Sequence, residues 1–198
     1  MPYFCLLNLV DMKIDRQTLV SLILLIVIAA LYRAMPGRIW GFAPHLAMAV
    51  FGGSVISNRT MAFVFPVLSL FLSDLVYHVL FLMNITPIEG FYSGQVTNYL
   101  LIASLAIIGF KIRETNPAQI LAGGLAAPVV YFVASNFLVW AGGGGLMRPK
   151  TFSGLMQTYI DGLPFFQTSL YGTLFFSAVL FGGYYLVKRY VVRGIAAQ

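Results

Sequence analysis

Met61-Ala62-Phe63-Val64-Phe65-Pro66-Val67-Leu68-Ser69-Leu70-Phe71-Leu72-Ser73-Asp74-Leu75-Val76-Tyr77-His78-Val79-Leu80-Phe81-Leu82-Met83 is a run of 23 residues with one carboxylate, Asp74. As a helix it is about 34 Å long, enough to cross the hydrocarbon core of a bilayer. A charge at that depth is costly, so such a residue faces protein or a wet cavity rather than lipid. Tyr77 and His78 follow Asp74 at i+3 and i+4, on the same helix face. The run therefore has one polar face, which other helices must cover. Asp74 could be structural glue, paired with His78 or with an arginine from elsewhere. It could equally touch a ligand or relay a proton.

The rest of the chain is of the same kind. Of 198 residues 60% are hydrophobic and 9% charged, against about 25% charged in soluble domains. Apolar runs recur at 18–32, 43–56, 95–110, 118–140 and 164–187. With the run at 61–83 they predict an all-α polytopic membrane protein, a six-helix transmembrane bundle. Strand-length alternation is missing, which argues against a membrane barrel. Residues 1–17 read as an N-terminal extension, 18–190 as the membrane domain and 191–198 as a cytoplasmic tail. Met12-Lys13-Ile14-Asp15-Arg16 resembles the usual start of a bacterial membrane protein, so the residues before it could be a mis-assigned start. The run at 18–32 lacks a good cleavage site and reads as a retained helix.

The connections carry the punctuation. Pro36 and Gly37 end the first run, and Pro44 opens the second. Phe152, Leu155, Met156, Tyr159 and Ile160 are spaced as an amphipathic interfacial helix. Asp161-Gly162 is expected to end it before a last span opens at Pro164. The four glycines at 142–145 are not followed by Gly-Lys-Ser/Thr, so they carry no phosphate-loop signal.

Both termini of a six-helix chain lie on one side. That side collects Lys13, Arg16, Arg59, Lys111, Arg113, Lys188, Arg189 and Arg193; the other has Arg33, Arg38, Arg148 and Lys150. The excess places the termini in the cytoplasm of a cell whose inner membrane holds the protein. The net charge of +6 thus reads as membrane orientation, with no nucleic-acid partner implied.

Polar and aromatic residues then gather on the outer half: Arg33, Trp40, His45, Asp74, His78, Asn136, Trp140 and Lys150. Asn136 sits four residues, about 6 Å, inside the outer end of its helix. These eight are the candidate ligand-binding residues of an outward cavity. Each also has a plainer reading. Arg33, Trp40, Trp140 and Lys150 suit contact with membrane lipid, Asn136 could bridge two helices, and His45 could be a satisfied polar residue. One cysteine, Cys5, and two histidines leave no transition-metal site, and no cofactor is implied. No Gly-x-Ser-x-Gly, His-Glu-x-x-His or paired-aspartate motif supports an enzyme.

Arg33-Ala34-Met35-Pro36, Phe42-Ala43-Pro44-His45-Leu46-Ala47-Met48-Ala49-Val50-Phe51-Gly52-Gly53 and Phe71-Leu72-Ser73-Asp74 resemble an uncharacterised bacterial six-helix membrane family. So do Ser135-Asn136-Phe137-Leu138-Val139-Trp140, Pro149-Lys150-Thr151, Leu163-Pro164-Phe165-Phe166 and the stretch from Leu174 to Gly182. Gly37-Arg38-Ile39-Trp40 departs from it, since the family tends to a second proline and a polar residue there. That family in turn resembles the substrate-binding S components of energy-coupling factor (ECF) transporters. The resemblance implies capture of a vitamin or other small molecule in an outward pocket. It also implies a partner, a membrane coupling subunit driven by ATPases, met through small-residue helix faces. Ala47, Gly52, Gly53, Ala122, Gly123 and Ala126 are the candidates for that surface. The competing reading is a structural or assembly subunit of a membrane complex with no small ligand.

The topology has a direct check. In a Cys5-free background, Asn58→Cys and Gly144→Cys should show opposite accessibility to an impermeant thiol reagent in intact cells. Labelling of both from the same side would contradict six spans.

Overall fold

The computed structural model describes residues 41–87, 89–142 and 147–196, together with Val27, Leu31, Tyr32, Met35, Gly37 and Ile39; from 190 onward only the backbone is described. Six helical segments lie in these stretches: α1 His45–Val55, α2 Arg59–Leu82, α3 Gln95–Ser104, α4 Ala106–Gly109, α5 Pro117–Gly142 and α6 Phe152–Ala196. All regular structure among the described residues is helical. α3 and α4 are one apolar run with a turn at Leu105. Three helices, α2, α5 and α6, are long and apolar enough to cross a membrane. The expected first span, 18–32, lies outside the described residues except for Val27, Leu31 and Tyr32, which are helical. A six-span count thus goes beyond what is described.

α1 is the axis. Every residue from His45 to Gly53 is buried, so the helix is enclosed on all sides rather than on one face. Pro44 stands at its N-cap with φ −76°. Its small residues let neighbours approach closely. A Cβ on Gly53 would fall onto the Ala106 carbonyl oxygen and come within 3.0 Å of Gly109 Cα. Gly109 answers it from α4, where a Cβ would lie 2.8 Å from Gly53 Cα. On another side Phe51 meets Phe181 and Tyr184 of α6 edge-on, with ring centroids 5.2 and 5.7 Å away.

α2 reverses the pattern of a soluble helix. Ala62, Phe65, Pro66, Ser69, Leu70, Ser73, Asp74 and Tyr77 form its buried stripe, at helical spacing. Val64, Leu68, Phe71, Leu75 and Val79 form the exposed one. Ser69, Ser73, Asp74 and the Tyr77 ring point inward while most of its aliphatic side chains point outward, the arrangement expected of a helix in hydrocarbon. Asn58 Oδ1 caps the helix by accepting from Met61 N at 3.1 Å. Asn116 Oδ1 caps α5 likewise, accepting from Ala118 N and Gln119 N at 3.1 and 3.2 Å.

α6 corrects one expectation. The chain does not break at Asp161-Gly162; a single helix runs from Phe152 to Ala196, about 67 Å. Gly162 is there for packing, not for stopping. A Cβ on it would lie 3.0 Å from Phe132 Cε2 and equally close to Asn136 Nδ2. Asp161 is held on the helix surface by Arg148, whose Nη2 and Nε donate at 2.7 and 3.0 Å. Pro164 removes one backbone donor, a loss that membrane helices tolerate when neighbours pack around it.

A second correction concerns the small-residue set. Ala47, Gly52, Gly53 and Gly123 are buried inside the bundle, where a Cβ on Gly123 would run into Ile112. They serve helix contacts within the chain and offer no outer surface to another protein. Ala122 is exposed and Ala126 half-buried.

At the far end of α6, Lys188 donates to Glu114 at 3.2 Å. Glu114 sits in the loop before α5. A hydrogen bond to its own backbone N–H holds its carboxyl below the ordinary value; burial opposes this, and Lys188 helps to offset the burial.

The α1–α4 contact makes a clear forecast. Gly53→Ala should lower the melting temperature markedly, since backbone stands where the methyl would go; overpacking of this kind costs about 1–3 kcal/mol. Gly182→Ala, whose Cβ meets nothing within 4 Å, should leave it unchanged. Equal melting temperatures for both variants would refute the close crossing.

Candidate functional site

Asp74 is 1% exposed. Its partners come from the next helix. Gln95 Nε2 and Tyr99 Oη both donate to Asp74 Oδ2, the latter at 2.5 Å. Gln95 Nε2 also reaches the Gly90 carbonyl at 3.2 Å and Tyr99 Oη at 2.8 Å. Gln95 opens α3 just after Gly94, whose φ of +86° turns the chain. Gln95 and Tyr99 stand at i and i+4, so one face of α3 presents both donors to one carboxylate. Of the two pairings expected for Asp74, with His78 or with an arginine, the one with His78 is not made. His78 points its ring edge at Phe91, centroids 5.2 Å apart. Its Nδ1 is buried with no hydrogen-bond partner among the described residues.

The connection between α2 and α3 is pressed onto this face. A Cβ on Gly90 would strike the Asp74 carbonyl oxygen and come within 2.6 Å of His78 Cβ. Only glycine lets the loop lie that low, and the loop in turn covers the polar stripe. A second polar chain starts on the neighbouring residue of α3. Tyr131 Oη donates to Asn98 Oδ1 at 2.6 Å, and Asn98 Nδ2 donates to Tyr92 Oη at 3.1 Å. α3 thus bridges α2 to α5 by side-chain hydrogen bonds on two faces.

The remaining candidates fall elsewhere. His45 is buried in the first turn of α1, 4% exposed. Asn136 does not bridge two helices by a hydrogen bond from its amide nitrogen: Nδ2 donates to Phe132 O of its own helix at 2.8 Å, while the amide packs against Gly162. Trp140 and Lys150 come together across the α5–α6 connection. Trp140 Nε1 donates to Pro149 O at 2.9 Å, and Lys150 Nζ stands 5.5 Å from the Trp140 ring centroid, within range of a cation–π attraction. Arg33 and Trp40 lie outside the described residues.

The structure therefore sorts the candidates into an α2–α3 group around Asp74 and His78 and an α5–α6 group of Asn136, Trp140 and Lys150. Sequence reading missed Gln95, Asn98, Tyr99 and Tyr131. A signal existed for the first three, since Gln95, Asn98 and Tyr99 share the i, i+3, i+4 spacing that marked Asp74, Tyr77 and His78. Tyr131 and the Arg148–Asp161 pair gave none. Among the described residues, no three His, Cys, Asp or Glu side chains come together to hold a metal ion.

One protein family matches residues 13–194: DUF6580, a family of unknown function. The chain belongs to that family. The match takes in α1 to α5 and all but the end of α6, so both polar groups are family territory and not an appendage. Neither a curated protein nor a solved structure matches the chain.

The Asp74 cluster sets an expected stability pattern. Asp74→Leu leaves two buried donors without their acceptor, and Gln95→Leu removes one donor. Each should destabilise by about 1–3 kcal/mol. The double variant should cost less than the sum, because the partners share one network. Strict additivity by thermal denaturation in detergent would dismiss the network.

Proposed function

We propose that this DUF6580 protein is the substrate-binding membrane component of a transporter, similar in plan to the S components of ECF systems. In this reading it is a multi-pass protein of the inner membrane with six spans and both termini in the cytoplasm. It captures a vitamin or another small molecule from outside and passes it inward with a coupling subunit and ATPases. It performs no chemistry on its cargo.

The observation that supports this best is the buried Asp74 carboxylate with its ordered donors, Gln95 and Tyr99. Membrane-spanning helices rarely carry such groups without a use. By the distribution of lysine and arginine the cluster belongs to the outer half of the bundle. Trp140 and Lys150 stand at the outer end of α5, a planar surface beside a cation, suited to a planar or anionic group. The small residues that close α1 against α4 allow a rigid body to move as one piece.

A second reading keeps a specific observation on its side. Asp74 already has hydrogen-bond donors from α3, which is what a purely architectural polar pair looks like. On that reading the protein is a structural or assembly subunit, with no small ligand.

Native mass spectrometry of gently purified protein separates the two. The transport reading expects a bound polar small molecule, released on denaturation. Trp140→Leu together with Lys150→Gln should lower its occupancy about tenfold without lowering the melting temperature. A protein empty across a vitamin panel, and co-purifying in fixed ratio with other membrane proteins, would establish the structural role instead.

A further inference from the structure

Cations crowd one end of the bundle. Arg59 opens α2, Lys111 and Arg113 stand in the connection between α4 and α5, and Lys188 and Arg189 close the apolar part of α6. Among the described residues Glu114 is the carboxylate at this end, and Lys188 already donates to it at 3.2 Å. Of the other described carboxylates, Asp74 belongs to the Gln95–Tyr99 network, Asp161 pairs with Arg148, and Glu89 follows the opposite end of α2. Arg59 and Lys111 therefore have no carboxylate within ion-pair distance among the described residues.

Arg59 is exposed, yet its guanidinium has a seat. Its Cζ stands 3.9 Å from the centroid of the Phe110 ring, close enough for a cation–π attraction. Phe63, one turn after Arg59 on α2, meets the same ring edge-on at 5.4 Å. A guanidinium seated on a ring face keeps its N–H donors available around its edge, because they lie in its own plane. Lys111 follows Phe110 directly and is exposed as well. Beneath the two cations the surface is apolar. Ile107, one turn before Lys111, is 52% exposed, and Val64 and Leu68 are exposed further along α2. α2 is long and apolar enough to cross a membrane, and Arg59 is its first residue. That sets the cations at headgroup depth and the exposed aliphatic side chains at acyl depth.

We propose that Arg59 and Lys111 bind the phosphate of an anionic phospholipid of the surrounding membrane. Phe110 is the platform for Arg59, and the acyl chains lie along Val64, Leu68 and Ile107. Charge complementarity selects the headgroup. Two cations without a carboxylate match a phosphodiester whose lipid carries no cation of its own, as in phosphatidylglycerol. The ammonium of a zwitterionic lipid would bring a third positive charge to the same place. The apolar flank selects a lipid over an acidic protein segment, since a segment held by its carboxylates has no use for aliphatic side chains deeper in the membrane. The site is independent of the solute capture proposed above and stands if that reading fails.

Native mass spectrometry of the full-length protein, equilibrated in detergent with equal amounts of phosphatidylglycerol and phosphatidylcholine, reads the site. The wild type should retain phosphatidylglycerol in preference, and that lipid should raise its melting temperature. Arg59→Gln should lower the occupancy about tenfold, the worth of one charge-assisted hydrogen bond, and abolish the shift in melting temperature. Without lipid its melting temperature should match the wild type. Phe110→Leu leaves every charge in place and should lower occupancy about threefold through the lost cation–π seat. Arg189→Gln removes the same charge from the same end of the bundle and should retain the lipid as the wild type does. Equal retention of the two lipids, or an equal fall in Arg59→Gln and Arg189→Gln, would mean diffuse attraction and overturn the proposal. So would displacement of the lipid by millimolar inorganic phosphate, the mark of a site for a soluble anion. A protein that co-purifies from cells with the wild type but not with Arg59→Gln, in place of the lipid, would overturn it too.

Discussion

A carboxylate cannot face hydrocarbon, and the arrangement around Asp74 follows from that constraint. Placed mid-way along an apolar helix, Asp74 forces its face of α2 inward. The inward face then needs donors, and α3 supplies them from Gln95 and Tyr99. For α3 to stand there, the connection from α2 must fold back low over the helix, which Gly90 permits. Asn98, beside Tyr99, carries the polar contact on to Tyr131 of α5. One buried carboxyl group thus ties three helices together, because each donor it recruits must itself be placed by backbone.

Packing supplies the complementary constraint. Helices that cross a membrane gain little from hiding apolar surface and are held by close contact instead. α1 is the element that makes contact possible on every side. Gly53 allows α4 to approach backbone to backbone and Gly52 faces α2, while Phe51 fills the wider gap toward α6. The chain spends its small residues inside the bundle. That is why the same glycines that looked like a docking surface are not available for one.

The two long helices α5 and α6 behave differently along their length. Toward their connection they are tied by Tyr159 donating to Val133 O at 3.0 Å, by the rings of Phe132 and Phe166, and by Gly162 against Asn136. Toward Glu114 they leave a cleft, with the Glu114–Lys188 pair near one end. The hairpin is tied more closely near its connection than toward Glu114.

The sequence by itself determined that the chain is helical and that several of its stretches are long and apolar enough to cross a membrane. Apolar runs of membrane length, few charges and a lone aspartate on a polar stripe are local facts, and the solvent they demand follows from transfer energetics alone. The opening at Pro44 was legible for the same reason, since a helix end is decided within a turn. What only tertiary structure decided was pairing. Asp74 could have met His78, one turn away; among the described residues Gln95 and Tyr99 donate to it instead, because the α2–α3 loop brings them there. Gly162 reads locally as a helix stop, yet it is a contact point inside one 45-residue helix, for its meaning lies in Phe132 and Asn136 across the hairpin. A glycine and a carboxylate carry no record of their neighbours, and the neighbours are what choose their roles.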